Sequence, residues 1–312
     1  MAKSNTNPKV SIIICTYTRA RLLRQTLHSL EHLQDIKNAE VIVVDNGSRD
    51  DTSSVVREFT RRLTPKAHIR YVFEHRKSLS IARNTGIEHA RGSIVAFLDD
   101  DAIPTADWLS SLCAAFERYP NAAAVGGMIQ PHFETFRPDW LIKQLEQPFA
   151  IIHLGDKERK YPRKLYPCGA NLAIRKDALG DSLRFPASLG SKGNSLLSRE
   201  ESWLFSQLRK KGGELYYIPR MKVTHFIGAE RLCPEWIKSR YYYQGAALAG
   251  GEFNLVQRIG IKSRLTLKKI NIAFKTMITI APGEKLLNEC RMESIRGSME
   301  MLRSGGTAPL RE

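Results

Sequence analysis

Cysteine is scarce in this sequence: five residues in 312, at positions 15, 113, 168, 233 and 290, odd in number and never closely spaced. With that spacing neither a disulfide framework nor a zinc knuckle is indicated, and a reducing cytosol fits best. Long apolar runs are missing too. The run over 10–15 is too short for the core of a signal peptide, and the run over 270–280, broken by Lys275, is about half of the roughly 20 residues that a spanning helix needs. A cytoplasmic chain that does not cross the bilayer is expected. No G-x-G-x-x-G follows any strand-like segment, which excludes a Rossmann dehydrogenase. The first such segment runs into CTYTRARLL, without the glycine-rich phosphate loop that a nucleotidyltransferase would carry there. There is no internal repeat and no low-complexity tract.

What the chain has in excess is positive charge. Its 48 Lys and Arg against 32 Asp and Glu leave +16, which calls for an anionic partner: nucleic acid, acidic lipid or a phosphorylated substrate. The basic and aromatic residues follow no nucleic-acid-binding module, so nucleic acid is not expected. A non-enzymatic nucleic-acid binder stays as one alternative and a nucleotidyltransferase acting on sugar phosphates as another.

Short β-branched runs alternate with amphipathic stretches through the first hundred residues. Strands are predicted over 10–15, 40–44, 69–73 and 93–98, with helices over 21–33, 52–63 and 78–90 between them, the pattern of an α/β fold with a doubly wound, mostly parallel sheet. A helix over 108–119 and a strand over 122–129 follow, then an irregular, substrate-facing stretch over 133–164, a helix over 199–211 and a strand near 221–224. Beyond Glu235 the pattern is helical and basic, and residues 231–312 hold 14 Lys or Arg against 7 Asp or Glu. Two domains are expected, 1–232 and 233–312, with the last ten residues frayed. The basic extension is expected to touch anionic membrane weakly, at the periphery.

The chemistry gathers at strand ends. Asp99, Asp100 and Asp101 directly follow an apolar strand, and three adjacent carboxylates need a positive neighbour. Ligands of open α/β sheets bind at the carboxyl ends of strands, and hard carboxylate oxygens there suit Mg²⁺ or Mn²⁺ shared with phosphates. A solvated acidic turn is the alternative. Asp45 closes a second buried strand in VIVVDNGSRDDT; its alternative is turn formation with Asn46 and Gly47. Glu200 and Glu201 open a helix, where the dipole favours negative charge.

The segments SIIICTYTRARLL, VIVVDNGSRDDT and ARNTGIEHARGSIVAFLDDDAIP resemble the family 2 glycosyltransferases of the GT-A fold. CGANLAIRKDAL, REESWLFSQLRKKG and YIPRMKVTHF continue the resemblance in the family's order, over about residues 8–228. It implies a nucleotide-diphosphate-sugar donor, most readily a UDP-sugar. It further implies a divalent cation on an Asp-x-Asp motif, inversion at the anomeric carbon, and work in polysaccharide or glycoconjugate biosynthesis on a sugar, lipid-linked or small-molecule acceptor.

By the same resemblance, Thr16 and Tyr17 line the nucleoside pocket, with Arg19 beside them on the donor, and Asp45 reads the base edge. Arg83 and Asn84 face the nucleotide. Asp99 lies nearest the ribose, Asp101 binds metal with Asp99, and Asp100 fills the permissive central position. His225 joins the metal or the diphosphate, and Gly169 and Asn171 belong to a loop beneath the donor sugar. The family's catalytic carboxylate is the second of an acidic pair, usually Asp, which makes Glu201 the base here and leaves Glu200 as the alternative. Cys168 is read as a small buried residue rather than a nucleophile, and Arg240 with Tyr241, Tyr242 and Tyr243 as packing.

Overall fold

The structure, a computed structural model, describes residues 8–63, 68–187, 199–250 and 255–304. The first stretch alternates as the hydrophobic pattern requires: β1 (Val10–Thr16), α1 (Ala20–Leu30), β2 (Ala39–Asp45), α2 (Thr52–Leu63), β3 (His68–Phe73), α3 (Leu79–His89) and β4 (Ile94–Phe97). Next come β5 (Ala102–Pro104), α4 (Trp108–Arg118), β6 (Ala122–Phe133), β7 (Arg159–Lys160), β8 (Leu172–Arg175), α5 (Lys176–Leu179), α6 (Glu200–Lys210) and β9 (Glu214–Ile227). Three helices end the described chain: α7 (Pro234–Ala249), α8 (Leu255–Ile278) and α9 (Pro282–Arg303). The fraying expected of the last ten residues falls mostly on 305–312, outside the described residues.

The strands form one sheet in the order β3-β2-β1-β4-β8-β6-β9-β5, with β7 paired to β9. β3, β2, β1 and β4 are mutually parallel, whereas β8 joins β4 antiparallel. β1 shows why its centre is apolar: Ile12 and Ile14 pack on one face with Leu23, Leu27, Phe59 and Trp108, and Ile13 packs on the other with Ala82, Ile87, Leu204 and Phe205. A parallel strand covered by helices on both faces has no polar side. The doubly wound arrangement follows.

The described chain falls into two compact units. One comprises 8–63, 68–132, 150–187 and 200–226; the other comprises 133–149, 199, 227–250 and 255–304. The irregular stretch is thus divided, its first part turning through short 3₁₀ segments at Lys143–Leu145 and Gln147–Phe149 in the second unit.

The helical end of the chain is built on close approach. A Cβ on Gly245 of α7 would stand 1.8 Å from the Ser294 carbonyl, and one on Gly297 of α9 would stand 2.1 Å from that of Tyr242. Small residues at the crossing let the two backbones touch, and the Ser298 hydroxyl donates to the Gly245 carbonyl at 2.8 Å. Tyr242 and Tyr243 are buried beside this crossing, as the packing reading of that cluster expects.

Candidate active site

Register decides which side chains meet. In the β1–β2 ladder Thr16 lies opposite Asp45, so both finish the sheet at one rim. β4 stops earlier, with Phe97 opposite Ile13, and the Leu98 N–H still donates to the Ile13 carbonyl at 3.1 Å. Asp99, Asp100 and Asp101 then turn the chain into β5, where Ala102 lies opposite His225 of β9. The Phe226 N–H donates to the Asp101 carbonyl at 2.9 Å, which fixes the histidine beside the aspartates.

The three aspartates do different things. Asp100 points inward, accepting from the Thr16 hydroxyl at 2.7 Å and from Arg19 Nη1 at 2.8 Å. Asp101 accepts from the same Arg19 nitrogen at 2.8 Å, and its other oxygen lies 3.2 Å from His225 Nε2. Asp99 is the open member, its side chain 36% exposed where that of Asp101 is 3%. One ligand atom each from Asp99, Asp101 and His225 fall within 4.8 Å of one another. Two carboxylate oxygens and an imidazole nitrogen together could hold a divalent ion.

The local charge agrees. Asp99, Asp100, Asp101, Glu200 and Glu201 are met by two guanidinium groups, those of Arg19 and Arg83. Desolvation pushes the Asp100 carboxyl up to about 7 despite the pull of Arg19. It raises Asp99 as well, with Arg83 opposing. A bound cation would relieve what the two arginines do not.

Arg83 is the hub. Buried in α3, it donates from Nη1 to Glu200 Oε1 at 3.0 Å, and its Nη2 lies 2.9 Å from Glu201 Oε1 and 3.9 Å from Asp99 Oδ1. Its guanidinium also lies 5.3 Å over the Phe185 ring. Asn84 holds that ring in place, exchanging two hydrogen bonds of 2.8 and 2.9 Å with the Phe185 backbone. The resemblance implied that both residues face the nucleotide; here the side-chain groups of Arg83 serve carboxylates and those of Asn84 serve a backbone 101 residues further on.

Glu200 and Glu201 are separated by exposure. Glu200 is buried, and among the described residues its Oε2 has no hydrogen-bond partner. Glu201 keeps 23% of its side chain open and accepts from the Gly169 N–H at 3.0 Å. Desolvation raises the Glu201 carboxyl above its ordinary range, with Arg83 pulling it back. Gly169 is small for a reason: a Cβ there would stand 2.0 Å from Arg83 Nη2 and 2.5 Å from Glu201 Oε1. Gly169→Ala is therefore expected to displace Glu201 and lower kcat by about 10²-fold with little change in donor KM. Steady-state kinetics under varied donor check this.

Asn171 lies in the same loop but takes a framework role. Its amide nitrogen donates to the Met128 and Met221 carbonyls at 2.9 and 2.7 Å, and its oxygen accepts from Trp108 Nε1 at 2.8 Å. The neighbouring Cys168 thiol is pushed up by burial, which keeps it protonated and unfit as a nucleophile.

Further along the same rim, Asp45 accepts from the Ser48 N–H at 2.8 Å and from the Tyr71 hydroxyl at 2.6 Å. Tyr17 is exposed, with the Lys77 ammonium 5.0 Å over its ring and 3.0 Å from its hydroxyl. Between them Thr18 adopts a positive φ of 53°. Its N–H donates to the Ser48 hydroxyl at 2.8 Å, and the Ala20 N–H donates to Asp50 at 2.9 Å. Ser48 and Asp50 thus brace the first loop, a pairing across some 30 residues that the sequence of the segment does not show.

The profile described as Glycosyl transferase family 2 matches residues 11–183, and the succinoglycan biosynthesis protein ExoM of Rhizobium meliloti is 30% identical over 244 residues, 76% of this chain and 72% of that protein. The chain belongs to glycosyl transferase family 2. The glycosyltransferase is also 25% identical over 247 residues, 76% of the chain and 75% of the relative, to the glucosyl-dolichyl phosphate glucuronosyltransferase of Haloferax volcanii. Its fold is that of the mannosyltransferase PcManGT of Pyrobaculum calidifontis, solved with GDP-Man and Mn²⁺: TM-score 0.56 at 19% identity over 97% of this chain and 77% of that one. Residues 1–349 of TarS from S. aureus superpose with a TM-score of 0.53 at 17% identity over 95% and 92% of the two chains. Glycosyl transfer in glycoconjugate biosynthesis is the activity these likenesses carry.

Proposed function

We propose that the chain is an inverting, metal-dependent glycosyltransferase that takes its sugar from a nucleotide-diphosphate donor, foremost a UDP-sugar, and attaches it to an acceptor hydroxyl. One observation carries the reading: Arg83 reaches Asp99 of the carboxylate–histidine cluster and Glu201 with a single nitrogen. The residues assigned to the metal and the carboxylate assigned as base thus lie within reach of one guanidinium, which supports a single displacement between them.

Thr16, Tyr17 and Asp45 are assigned to the nucleoside, and Asp99, Asp101 and His225 to Mn²⁺ or Mg²⁺. Bound there, the ion supplies Lewis-acid stabilisation of the charge that grows on the leaving diphosphate. Glu201, the more open glutamate, takes the proton of the acceptor hydroxyl as its oxygen bonds to the anomeric carbon from the face opposite the departing phosphate. Glu200 and Arg83 keep that carboxylate placed. Asp100 secures the first loop through Thr16 and Arg19, and Gly169 gives Glu201 its room. The relatives, a glucosyl-dolichyl phosphate glucuronosyltransferase and a succinoglycan biosynthesis protein, favour a lipid-linked or saccharide acceptor.

The test is nucleoside diphosphate release from UDP-, GDP- and dTDP-sugars with and without Mn²⁺, followed by NMR of the new glycosidic bond. Mn²⁺-dependent UDP release and an inverted anomeric centre are expected. A retained configuration would overturn the single displacement, and release unaffected by chelator would overturn the metal assignment.

A further inference from the structure

The long helix α8 has two faces that do unlike things. Ile261 and Leu265 turn toward Ala246, Ala249, Met301 and Leu302 of α7 and α9. At 100° per residue, Ile259, Leu267, Ile270, Phe274, Met277 and Ile278 share one arc of about 100° away from that seam. These six side chains are between 56% and 85% exposed. Lys262 and Lys269 border the arc on one side, and Arg264, Lys268 and Lys275 border it on the other, all exposed. Between Glu252 and Glu284 the sequence has no acidic residue.

From this arrangement we infer that α8 is a docking helix for an anionic bilayer surface, lying in the plane of the interface with its apolar arc among the acyl chains and its basic borders at the headgroups. An apolar strip with cations along both edges matches a surface whose interior is apolar and whose rim is negative. A second copy of the chain would set like-charged borders against each other, which disfavours self-association through this face. None of the described helices is long and apolar enough to cross a membrane, which agrees with surface attachment. The inference is independent of the donor, the acceptor and the metal.

Co-sedimentation of the full chain with vesicles of one part phosphatidylglycerol to two of phosphatidylcholine tests it. Binding is expected at low salt, reduced at high salt, and absent with phosphatidylcholine alone. Ile270→Ser/Phe274→Ser should lower the partition coefficient at least about tenfold with an unchanged circular dichroism spectrum, since both residues are exposed. Lys268→Gln/Lys275→Gln should lower it by a similar factor and flatten the salt dependence. A Phe274→Trp variant should shift its emission to the blue when anionic vesicles are added. Undiminished binding of the double serine variant, or no wild-type binding, overturns the proposal. So does a wild-type dimer that the serine variant converts to monomer, which would make the face an interface between copies.

Discussion

Glu201→Gln is expected to lower turnover by roughly 10² to 10⁴ while donor affinity hardly changes, because the amide keeps the size of the side chain but cannot take a proton. The amide oxygen can still accept from the Gly169 N–H, which Glu201 now bonds at 3.0 Å, so the loop need not move. Glu200→Gln acts differently. Its carboxylate is buried against Arg83, so the expected effect is lower stability and a milder loss of transfer. Progress curves with a competent acceptor, donor titrations and thermal melts of both variants separate the two roles. A Glu201→Gln enzyme with near-normal turnover would move the base to Glu200 and leave the donor site as described.

Asp101→Ala should reduce Mn²⁺-dependent UDP binding by about 100-fold or more, since it removes a hard ligand from a cluster of three. The fold should survive. Arg19 keeps its second partner, Asp100, at 2.8 Å, and β5 remains paired to β9 through backbone groups. Calorimetry of UDP with and without Mn²⁺, alongside circular dichroism, measures both consequences. Equal UDP affinity in the variant and the wild type would remove Asp101 from the metal site.

Legibility from sequence tracked the range of the interactions. Asp45 and Asp99–Asp101 stood out because an acidic residue that ends a buried strand is a local signal, and the β1 to β4 alternation is local as well. The β6 and β9 strands run longer than their apolar cores suggested, to Phe133 and Ile227. Partnerships across the chain left no trace in the residues themselves. Nothing in IARNTG says that Asn84 will bind the Phe185 backbone, or in CGAN that Asn171 will join Met128, Met221 and Trp108. The glutamate pair was legible as a pair, the resemblance favoured its second member, and burial adds that Glu201 is the more open of the two.

The placement of Arg83 bears on the order in which the first unit is assembled. During synthesis the parallel strands, whose ladders join residues within 10–97, are complete long before β8, α6 and β9 leave the ribosome. At that stage the nascent half has made Arg83 and Asp99 but neither glutamate, and the sheet face that α6 will cover with Leu204 and Phe205 is bare. Docking of α6 then covers apolar surface and delivers Glu200 and Glu201 to a guanidinium that can be desolvated only once they arrive. Closure of the core and neutralisation of Arg83, the one buried arginine among the described residues, are therefore a single event, and a chain stalled before residue 200 has completed neither.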